Sequence, residues 1–485
     1  MLYWANLLIV KPVFTPEEMK QIDAEAHAKI GIETLIERAG FALARKAAVL
    51  LGGTYGKRVI IFAGKGNNGQ DGRLSGTILE KRGVQVETVE VNQAPEGLPE
   101  CDLVIDAAFG TGFHGRFHAP QLVPGTKVLA ADLPSGLDGQ TGVANGHILA
   151  ADATLTFGAY KPGLFLNDGL LSSGDVELAP IGLEETAAES WQPTIHLVED
   201  ADLLSLLADR PRTGHKWNAP LYVLAGSGQM LGAASFVAEG AYRAGAGMVR
   251  LAVPGLGGTR TASLEAVHRD IPALHFADRV LEDIGRSKAM VIGPGLGVNA
   301  EQDYQIRRLI SSLPIPTVID ADAVAALGTV EEAQRILAGR RAPAVMTPHD
   351  GEYTRLVGSR PGADRITAAV NLARKLRITV LLKGPTTVVA DQNGKVLIVA
   401  SGSQNLSTAG TGDVLAGIIG AFMARGLNPF FASALAAHVH GKASRLGWRD
   451  SMTASDLPVL VAKVLDEIKG KRCYPKYVSS EQRMT

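Results

Sequence analysis

Short apolar runs that end in glycine-rich or polar loops recur along the whole chain, and a helical pattern follows most of these loops. In the first half, the apolar run at 58–63 leads into a glycine-rich loop at 64–72, and a helix is predicted from there to about residue 82. Apolar runs this short are typical of strands buried in a parallel sheet. Their alternation with helices predicts a doubly wound α/β fold, in which ligands bind at the carboxyl ends of the strands.

The same alternation restarts in the second half, so the 485 residues predict two domains rather than one core. Periodicity is lost over 182–219, which places the junction between about 182 and 205. The domain assignment is therefore 1–200 and 201–475, followed by a C-terminal tail at 476–485. The expected helices are 16–30, 33–51, 201–207 and 231–244, and the expected further strands are 84–91, 102–106, 127–132, 152–157, 221–225, 248–253, 289–292, 317–319, 344–346 and 379–382, with a hairpin of 388–390 and 396–399.

The composition excludes several classes of protein. The formal net charge is −1, which provides no electrostatic footprint for nucleic acid or for an anionic membrane. Two cysteines, Cys101 and Cys473, argue for a reducing compartment and against a disulfide framework. The apolar run at 3–10 is too short to span a bilayer and lacks the marks of a secretory signal, so we interpret it as a packed arm of a cytoplasmic protein. Apolar faces on the small-residue helices favour a homo-oligomer.

The stretch at 407–417 combines small residues and glycines with the start of an apolar helical run. Glycines allow backbone N–H groups to turn toward one point, and the first turn of a helix adds unpaired N–H donors there. Such an arrangement suits a phosphate or a developing oxyanion. Asp413 falls in the first helical turn, where a carboxylate can exchange a proton, although the same position also fits a plain helix-start residue.

Three loops of the first half, at 64–72, 110–116 and 131–138, follow predicted strands. Each loop, or the strand end before it, brings glycine together with a side-chain oxygen of the kind that a hard cation prefers. The oxygens belong to Asn68, Asp106, Asp132 and Ser135. If the loops meet at one edge of the sheet, they could hold a phosphate-bearing ligand together with a cation.

Five motifs in order give the chain a resemblance to a known family. They are Asn67-Asn68-Gly69, Asp132-Leu133-Pro134-Ser135-Gly136, Gly293-Pro294-Gly295-Leu296-Gly297, Lys383-Gly384-Pro385-Thr386 and Gly410-Thr411-Gly412-Asp413. With this order and spacing the chain resembles the bifunctional NAD(P)H-hydrate repair enzymes, over about 15–180 and 205–470. The resemblance implies two three-layer αβα domains: an N-terminal Rossmann-like epimerase domain and a C-terminal ribokinase-like dehydratase domain.

The resemblance also implies an activity and its partners. Enzymes of this family act on NADHX and NADPHX, in which the dihydropyridine ring of the nicotinamide has added water. The epimerase interconverts the R and S hydrates, and the dehydratase removes water from the S hydrate while ADP is converted to AMP and phosphate. Potassium and magnesium are the implied cofactors, and ADP is the co-substrate.

The resemblance assigns roles to individual residues. Asp132 and Asp413 become the catalytic carboxylates, and Asn68, Asp106 and Ser135 become the potassium ligands. The expected contacts of the hydrated cofactor are Asn67, Asn68, Gly69, Gln70, Asp71, Gly110, Thr111, Gly112, Phe113, His114, Gly115, Arg116 and Asp132 in the first domain, and Ala244, Gly295, His349 and Asp413 in the second. The expected ADP contacts are Lys383, Gly384, Pro385, Thr386, Thr387, Ser403, Gln404, Asn405, Leu406, Ser407, Thr408, Ala409, Gly410, Thr411 and Gly412.

The chain departs from the family pattern at three positions. Gln70 replaces a second glycine, Trp217 follows His215-Lys216 where glycine is usual, and Asp350 replaces a proline. These changes bear on the first phosphate loop and on the entrance of the second domain.

Other interpretations stay open from the sequence alone. Asp132 fits a capped turn, Asn68 a turn amide, and His349 a helix cap as well as a ligand contact. The Gly410–Asp413 motif also fits a ribokinase-like small-molecule kinase with a fused nucleotide-binding domain. A non-catalytic nucleotide sensor is a third reading. A kinase would release a stable phosphorylated substrate, whereas a dehydratase would release free phosphate and restored NADH.

Overall fold

The computed structural model describes residues 11–257 and 261–470. These residues form two compact units, an N-terminal unit of 11–197 with 362–368 and a C-terminal unit of 198–361 with 369–470. The expected packed arm at 3–10 and the expected tail at 476–485 lie outside the described residues. None of the helices in the described part of the chain is long and apolar enough to cross a membrane.

The N-terminal unit is built on a six-stranded parallel sheet of strand order β3-β2-β4-β6-β8-β9. Two small pairs, β1 with β10 and β5 with β7, complete it. Its strands are β1 Lys11–Val13, β2 Arg58–Ala63, β3 Gln85–Glu90, β4 Leu103–Ala107, β5 Phe117–His118, β6 Lys127–Ala131, β7 Gly146–His147, β8 Ala153–Phe157, β9 Asp175–Ala179 and β10 Ile195–Leu197. Its helices are α1 Pro16–Ile30, α2 Ile32–Leu51, α3 Asn67–Glu80, α4 Gly169–Ser172 and α5 Leu183–Ser190.

Both faces of this sheet are buried, as expected for a parallel sheet. Along β2, Val59, Ile61 and Ala63 pack in one cluster with apolar residues of α1 and α2. Ile60 and Phe62 point the other way, into a second cluster that is made of residues from β4, β5 and β6 and from connecting segments. The helices thus cover one face, while connecting segments cover the other.

The C-terminal unit carries a nine-stranded sheet of order β19-β18-β17-β16-β15-β14-β11-β12-β13. Strands β11 to β17 are parallel, and β18 and β19 extend the sheet as an antiparallel hairpin. The strands are β11 Pro220–Leu224, β12 Met248–Ala252, β13 Val267–Arg269, β14 Ala289–Ile292, β15 Thr317–Ile319, β16 Ala344–Met346, β17 Thr379–Leu382, β18 Thr387–Ala390 and β19 Val396–Val399. The helices are α6 Asp200–Leu206, α7 Leu231–Arg243, α8 Phe276–Asp283, α9 Ala300–Ser312, α10 Asp322–Ala326, α11 Val330–Ala338, α12 Asp350–Val357, α13 Arg365–Leu376, α14 Thr411–Ala424, α15 Pro429–Leu446 and α16 Leu457–Lys469; α13 begins in 362–368 of the first unit.

The α/β class, the expected parallel strands and the hairpin are confirmed, with strand ends shifted by at most one residue. One boundary differs in a way that matters. The glycine-rich loop after β2 is shorter than expected, because α3 already begins at Asn67. Gly66, the N-cap residue, has an extended backbone conformation. Residues expected on a loop therefore lie in the first turns of a helix, where backbone N–H groups lack partners within the helix.

Candidate active sites

A cavity of about 640 Å³ opens at the carboxyl edge of the N-terminal sheet. Because parallel strands end at one edge, the segments after β2, β4, β6, β8 and β9 all reach it, and α1 and α2 close the other side. The lining residues are Met19, Asp23, His27, Ile32, Leu35, Ile36, Ala39, Lys65, Gly66, Asn67, Asn68, Asp71, Ala108, Phe109, Gly110, Thr111, Gly112, Phe113, His114, Asp132, Phe157, Lys161, Ile181 and Leu183.

Asp132 follows β6 directly and adopts a φ of 68°, which is uncommon for a residue other than glycine. Its Oδ1 accepts hydrogen bonds from Lys161 Nζ at 2.5 Å, from Thr156 Oγ1 at 3.2 Å and from the Phe157 amide at 3.3 Å. Its Oδ2 lies beside Gly110, where a Cβ would stand 3.4 Å away. The strained turn thus fixes one carboxylate oxygen and leaves the other on the cavity side.

Lys161 is almost fully buried, with 1% of its surface exposed. Besides Asp132, its ammonium group donates to Thr156 Oγ1 at 3.0 Å and to the Phe157 carbonyl at 2.9 Å. Three donors meet three acceptors, so this buried cation is paired and hydrogen-bonded, as a buried charge must be. The ammonium group therefore sets the orientation of the Asp132 carboxylate.

Two further carboxyl groups line the same cavity. Burial raises the pKa of Asp71 to about 8, and the negative charges of Asp132 and Asp23 add to the shift. Asp23 lies on α1, and burial raises its pKa as well, while the cations Lys161 and His27 oppose that shift. Like charges close together in a poorly solvated site cannot all ionise.

The three predicted cation ligands lie close together beneath this cavity. Ser135 Oγ donates to Asp106 Oδ1 at 2.6 Å, and the Ser135 amide donates to Asp106 Oδ2 at 2.8 Å. Asn68 Nδ2 donates to the carbonyls of Phe109 and Ala131, both at 3.0 Å. Asn68 Oδ1 is buried and has no hydrogen-bond partner. Burial raises the pKa of Asp106, whose hydrogen bonds from Ser135 act in the opposite direction.

Not every predicted contact reaches the cavity. Of the expected set, Gly69, Gln70, Gly115 and Arg116 do not line it, whereas Asn67, Asn68, Asp71, 110–114 and Asp132 do. Gln70, the departure from the family pattern, is exposed on α3. Gly69 instead packs against the Gly64 carbonyl, which would stand 1.9 Å from a Cβ.

Asp23, His27 and Lys161 also line the cavity, although the sequence did not predict them there. Their approach to Asp132 depends on how α1 and the segment after β8 pack. One available signal was the helix pattern of 16–30, which places Asp23 and His27 one turn apart on the same face.

In the C-terminal unit, α14 begins at the predicted anion-binding stretch. Gly410 precedes the helix with a φ of 90°, and Asp413 lies in the first turn. Burial raises the pKa of Asp413 to about 7; Asp320 and Asp322 contribute in the same direction, and Lys383 opposes them. A carboxyl group that is half-ionised near neutral pH suits a general base.

Lys383 follows β17 and pairs with Asp320, the residue after β15, at 2.5 Å. Asp320 is buried and also accepts from Thr347 Oγ1 at 2.6 Å. Burial lowers the pKa of Lys383, but the carboxylates of Asp320, Glu352 and Asp413 outweigh it, so the pKa is raised. Lys383 is therefore a charged cation near the start of α14; a Cβ on Gly412 would stand 3.8 Å from its Nζ.

Hydrogen bonds to α15 hold the predicted nucleotide-binding loop at 403–412 in place. Ser403 Oγ lies 2.8 Å from Ser444 Oγ, and Asn405 Nδ2 donates to the Ser444 carbonyl at 2.8 Å. Burial lowers the pKa of His440 to about 4, and its Nε2 lies 3.0 Å from the Thr411 carbonyl. Neutral His440 thus donates to the first residue of α14 and fixes the start of that helix.

The predicted hydrate contacts of this unit are not all brought together. Gly295 lies at the carboxyl edge, where its Cβ would approach Ala233 Cβ to 2.8 Å. His349 caps α12 by accepting from the amides of Gly351 and Glu352, so the helix-cap reading of this residue is realised.

Ala244 is fully buried at the end of α7. Since α7 runs back from the carboxyl edge to the start of β12, Ala244 lies at the opposite edge from Gly295. Ala233, at the start of the same helix, is the residue that the structure places beside Gly295.

Two family models match this chain. The family described as "NAD(P)H-hydrate dehydratase" matches residues 221–466, and "YjeF-related protein N-terminus" matches residues 32–101 and 87–163. The first match alone covers half of the chain. The chain belongs to the bifunctional NAD(P)H-hydrate repair enzymes.

Curated relatives extend the similarity over both halves of this repair enzyme. The bifunctional NAD(P)H-hydrate repair enzyme of Moorella thermoacetica is 32% identical, covering 94% of this chain and 97% of the relative. The enzyme of the same name from Mycobacterium leprae is 34% identical, and the similarity covers 92% of this chain and 96% of the relative. An ADP/ATP-dependent NAD(P)H-hydrate dehydratase structure from Bacillus subtilis is 24% identical with a TM-score of 0.49, covering 56% of this chain and 97% of that one.

The family predicted from five motifs, and its metabolite-repair function, are therefore confirmed. The kinase and sensor interpretations lose their support, because the relatives that match both halves of this chain are named as repair enzymes. The residue roles stay predictions.

Proposed function

We propose that this repair enzyme uses two separate carboxylate sites. Asp132 in the N-terminal cavity interconverts the R and S hydrates of NADH and NADPH. Asp413 in the C-terminal unit removes water from the S hydrate, with ADP converted to AMP and phosphate. The observation that carries the proposal is that each carboxylate stands at the carboxyl edge of its own parallel sheet under the influence of a lysine. Lys161 bonds to Asp132, and the charge of Lys383 acts on Asp413. The boundaries 1–200 and 201–475 are proposed for the two activities.

Dehydration at Asp413 requires the hydrate hydroxyl to become a better leaving group. The Asp413 carboxylate takes the hydroxyl proton as the oxygen attacks the terminal phosphorus of ADP, and AMP departs. The amides of Gly410, Thr411 and Gly412 and the charge of Lys383 stabilise the transferring phosphoryl group. The bond between the ring carbon and the phosphate oxygen then breaks, and phosphate leaves. Loss of a proton from the adjacent ring carbon restores the dihydropyridine ring.

Potassium is proposed at Asn68, Asp106 and Ser135. The buried, unpartnered Oδ1 of Asn68 and the adjoining carboxylate form a set of oxygen donors that fits a hard monovalent cation. When bound, the ion would supply positive charge beneath the cavity floor. Its ligands would also hold the loops after β2, β4 and β6 together.

Magnesium is proposed to arrive with the nucleotide. Among the described residues, no group of three or more His, Cys, Asp or Glu side chains is placed to hold a metal ion. Magnesium commonly binds through phosphate oxygens and water with only one or two carboxylates. A protein cage is therefore not needed for it.

The test is to incubate the protein with mixed NADHX epimers and ADP, and to follow NADH absorbance together with AMP and free phosphate. We expect NADH, AMP and phosphate to appear in equal amounts, and no NADH without ADP. A stable phosphorylated product without NADH would contradict the proposal and support a kinase.

A further inference from the structure

The N-terminal cavity gathers three carboxyl groups whose charged neighbours differ. Asp23, Asp71 and Asp132 all line it, and each comes from a different segment. Lys161 forms an ion pair with Asp132, with 2.5 Å between Nζ and Oδ1. The cations that act on Asp23 are Lys161 and His27, whereas the charges that act on Asp71 are both negative.

Asp71 is therefore the carboxyl group best placed to keep a proton. It is 7% exposed and lies on the first turns of α3, facing the cavity. Asp132 differs, since its Oδ1 is surrounded by three donors and one of them is a buried ammonium. The two carboxyl groups thus have different surroundings, and enzymes use such a difference to separate acid and base roles.

We propose that Asp71 is the general acid and Asp132 the general base of epimerisation, with Lys161 as the positioning residue that orients the Asp132 carboxylate. The proposal rests on the epimerase function proposed above and adds a second catalytic residue to it. Asp71 was expected from the sequence only as a contact of the hydrate.

The chemistry balances without a co-reactant. Asp71 gives its proton to the hydroxyl on the ring carbon next to nitrogen, and the carbon–oxygen bond breaks as water leaves. The nitrogen lone pair forms a carbon–nitrogen double bond. Water then adds to the other face, the π electrons return to nitrogen, and Asp132 takes the proton released by that water. The reverse conversion uses the same pair with the roles exchanged.

Other charged groups face this pair from every side of the cavity. Asp23 and His27 come from α1, Lys65 precedes α3, and His114 lies on the loop after β4. Asp23 raises the pKa of Asp71 from the α1 side, so it favours the protonated acid without needing to touch the substrate.

The test follows interconversion of purified R- and S-NADHX by chromatography, without ADP, for the wild type and for Asp71→Asn. We expect Asp71→Asn to lower the epimerisation rate by about a hundredfold or more, the usual scale for a general acid. The wild-type rate should fall above about pH 8, and this fall should be absent from the residual activity of the variant. Asp71→Glu, which keeps a carboxylic acid, should recover part of the rate.

The controls separate this proposal from the epimerase proposal itself. Glu80→Gln removes an exposed carboxylate from the same helix and should leave the rate unchanged. Dehydration of S-NADHX with ADP reports that the C-terminal unit of each variant is folded, and thermal unfolding reports the N-terminal unit. A wild type that does not exceed the rate in buffer alone would contradict the epimerase function. An active wild type with an equally active Asp71→Asn variant, or with no fall in rate above pH 8, would overturn the role of Asp71 alone.

Discussion

At the scale of single residues, carboxylate–lysine pairs recur in both units. Asp132 pairs with Lys161, and Asp320 pairs with Lys383, each at 2.5 Å. In each case another carboxyl group, Asp71 or Asp413, lies nearby with a raised pKa. Perturbed carboxyl groups in such clusters are candidates for proton transfer.

Removing the Asp413 carboxylate should separate nucleotide binding from turnover. Asp413→Asn leaves the backbone donors of α14 in place, so we expect near-native ADP affinity and about a hundredfold or greater loss of NADH recovery. Calorimetric ADP titration beside the NADH assay measures both. Wild-type turnover in this variant would contradict the role of Asp413 as a base and would leave only a binding role for residues 407–417.

Lys383→Ala should weaken ADP binding as well as the rate, because it removes a cation from the phosphate region. It also leaves the buried Asp320 carboxylate without its partner, which we expect to cost about 3–5 kcal/mol of stability. Thermal unfolding and ADP titration distinguish the two effects. If Asp320→Asn is added, stability should return while ADP affinity stays low.

The dehydration rate should rise with pH across neutrality. Because the pKa of Asp413 is raised to about 7, the carboxylate is mostly protonated below that pH and cannot accept the hydroxyl proton. We expect the rate of S-NADHX dehydration at saturating ADP to fall about tenfold per pH unit below 7. A flat profile between pH 5.5 and 8 would contradict the role of Asp413 as a base.

The buried acid Asp71 should cost stability at neutral pH. Its pKa is raised on folding, so the folded state binds a proton that the unfolded state has released, and stability falls as pH rises from about 4 to 8. Asp71→Asn should therefore stabilise the protein by about 1 kcal/mol or more at pH 7.5 and by much less at pH 4. Thermal unfolding of both proteins at the two pH values measures this.

At the scale of elements, the sequence predicts what short-range patterns determine. The strands of both sheets other than the edge strands β9 and β13, the hairpin of β18 and β19, and the position of Asp413 in the first turn of α14 follow from apolar run length and glycine placement. The start of α3 was missed because Gly66 acts as an extended cap rather than a loop residue. Asp23 and Lys161 were missed because their proximity to Asp132 depends on the packing of distant segments. Ala244 was expected at the site, but its helix begins there and ends at the other edge.

Close approaches at the two sheet edges should make specific glycines indispensable. A Cβ on Gly69 would stand 1.9 Å from the Gly64 carbonyl oxygen, and one on Gly293, which has a φ of 128°, would stand 1.8 Å from the Asp320 carbonyl oxygen. We expect Gly69→Ala to lose epimerisation alone and Gly293→Ala to lose dehydration alone, each with about 1–3 kcal/mol of destabilisation. Gly339→Ala, where a Cβ meets nothing within 4 Å, is the matched control. Equal loss of both activities in either variant would contradict this assignment.

At the scale of the whole molecule, each unit has its own sheet, its own carboxyl edge and its own carboxylate–lysine cluster. A chain that carries both can draw on either epimer of the hydrate, because the epimerase supplies the S form that the dehydratase consumes. The central claim is therefore that Asp132 and Asp413 serve two separable activities.

The most direct measurement is NADH recovery from mixed NADHX epimers with excess ADP, using Asp132→Ala, Asp413→Asn and an equimolar mixture of the two variants. The wild type should recover all of the hydrate as NADH. Asp132→Ala should stop once the S epimer is consumed, with any further rise only at the rate of epimerisation in buffer, and Asp413→Asn should recover almost none. The mixture should again recover all of it, since each variant supplies the activity that the other lacks. Loss of both activities in a folded Asp132→Ala variant, or a mixture that stops at the S fraction, would contradict the two-site account.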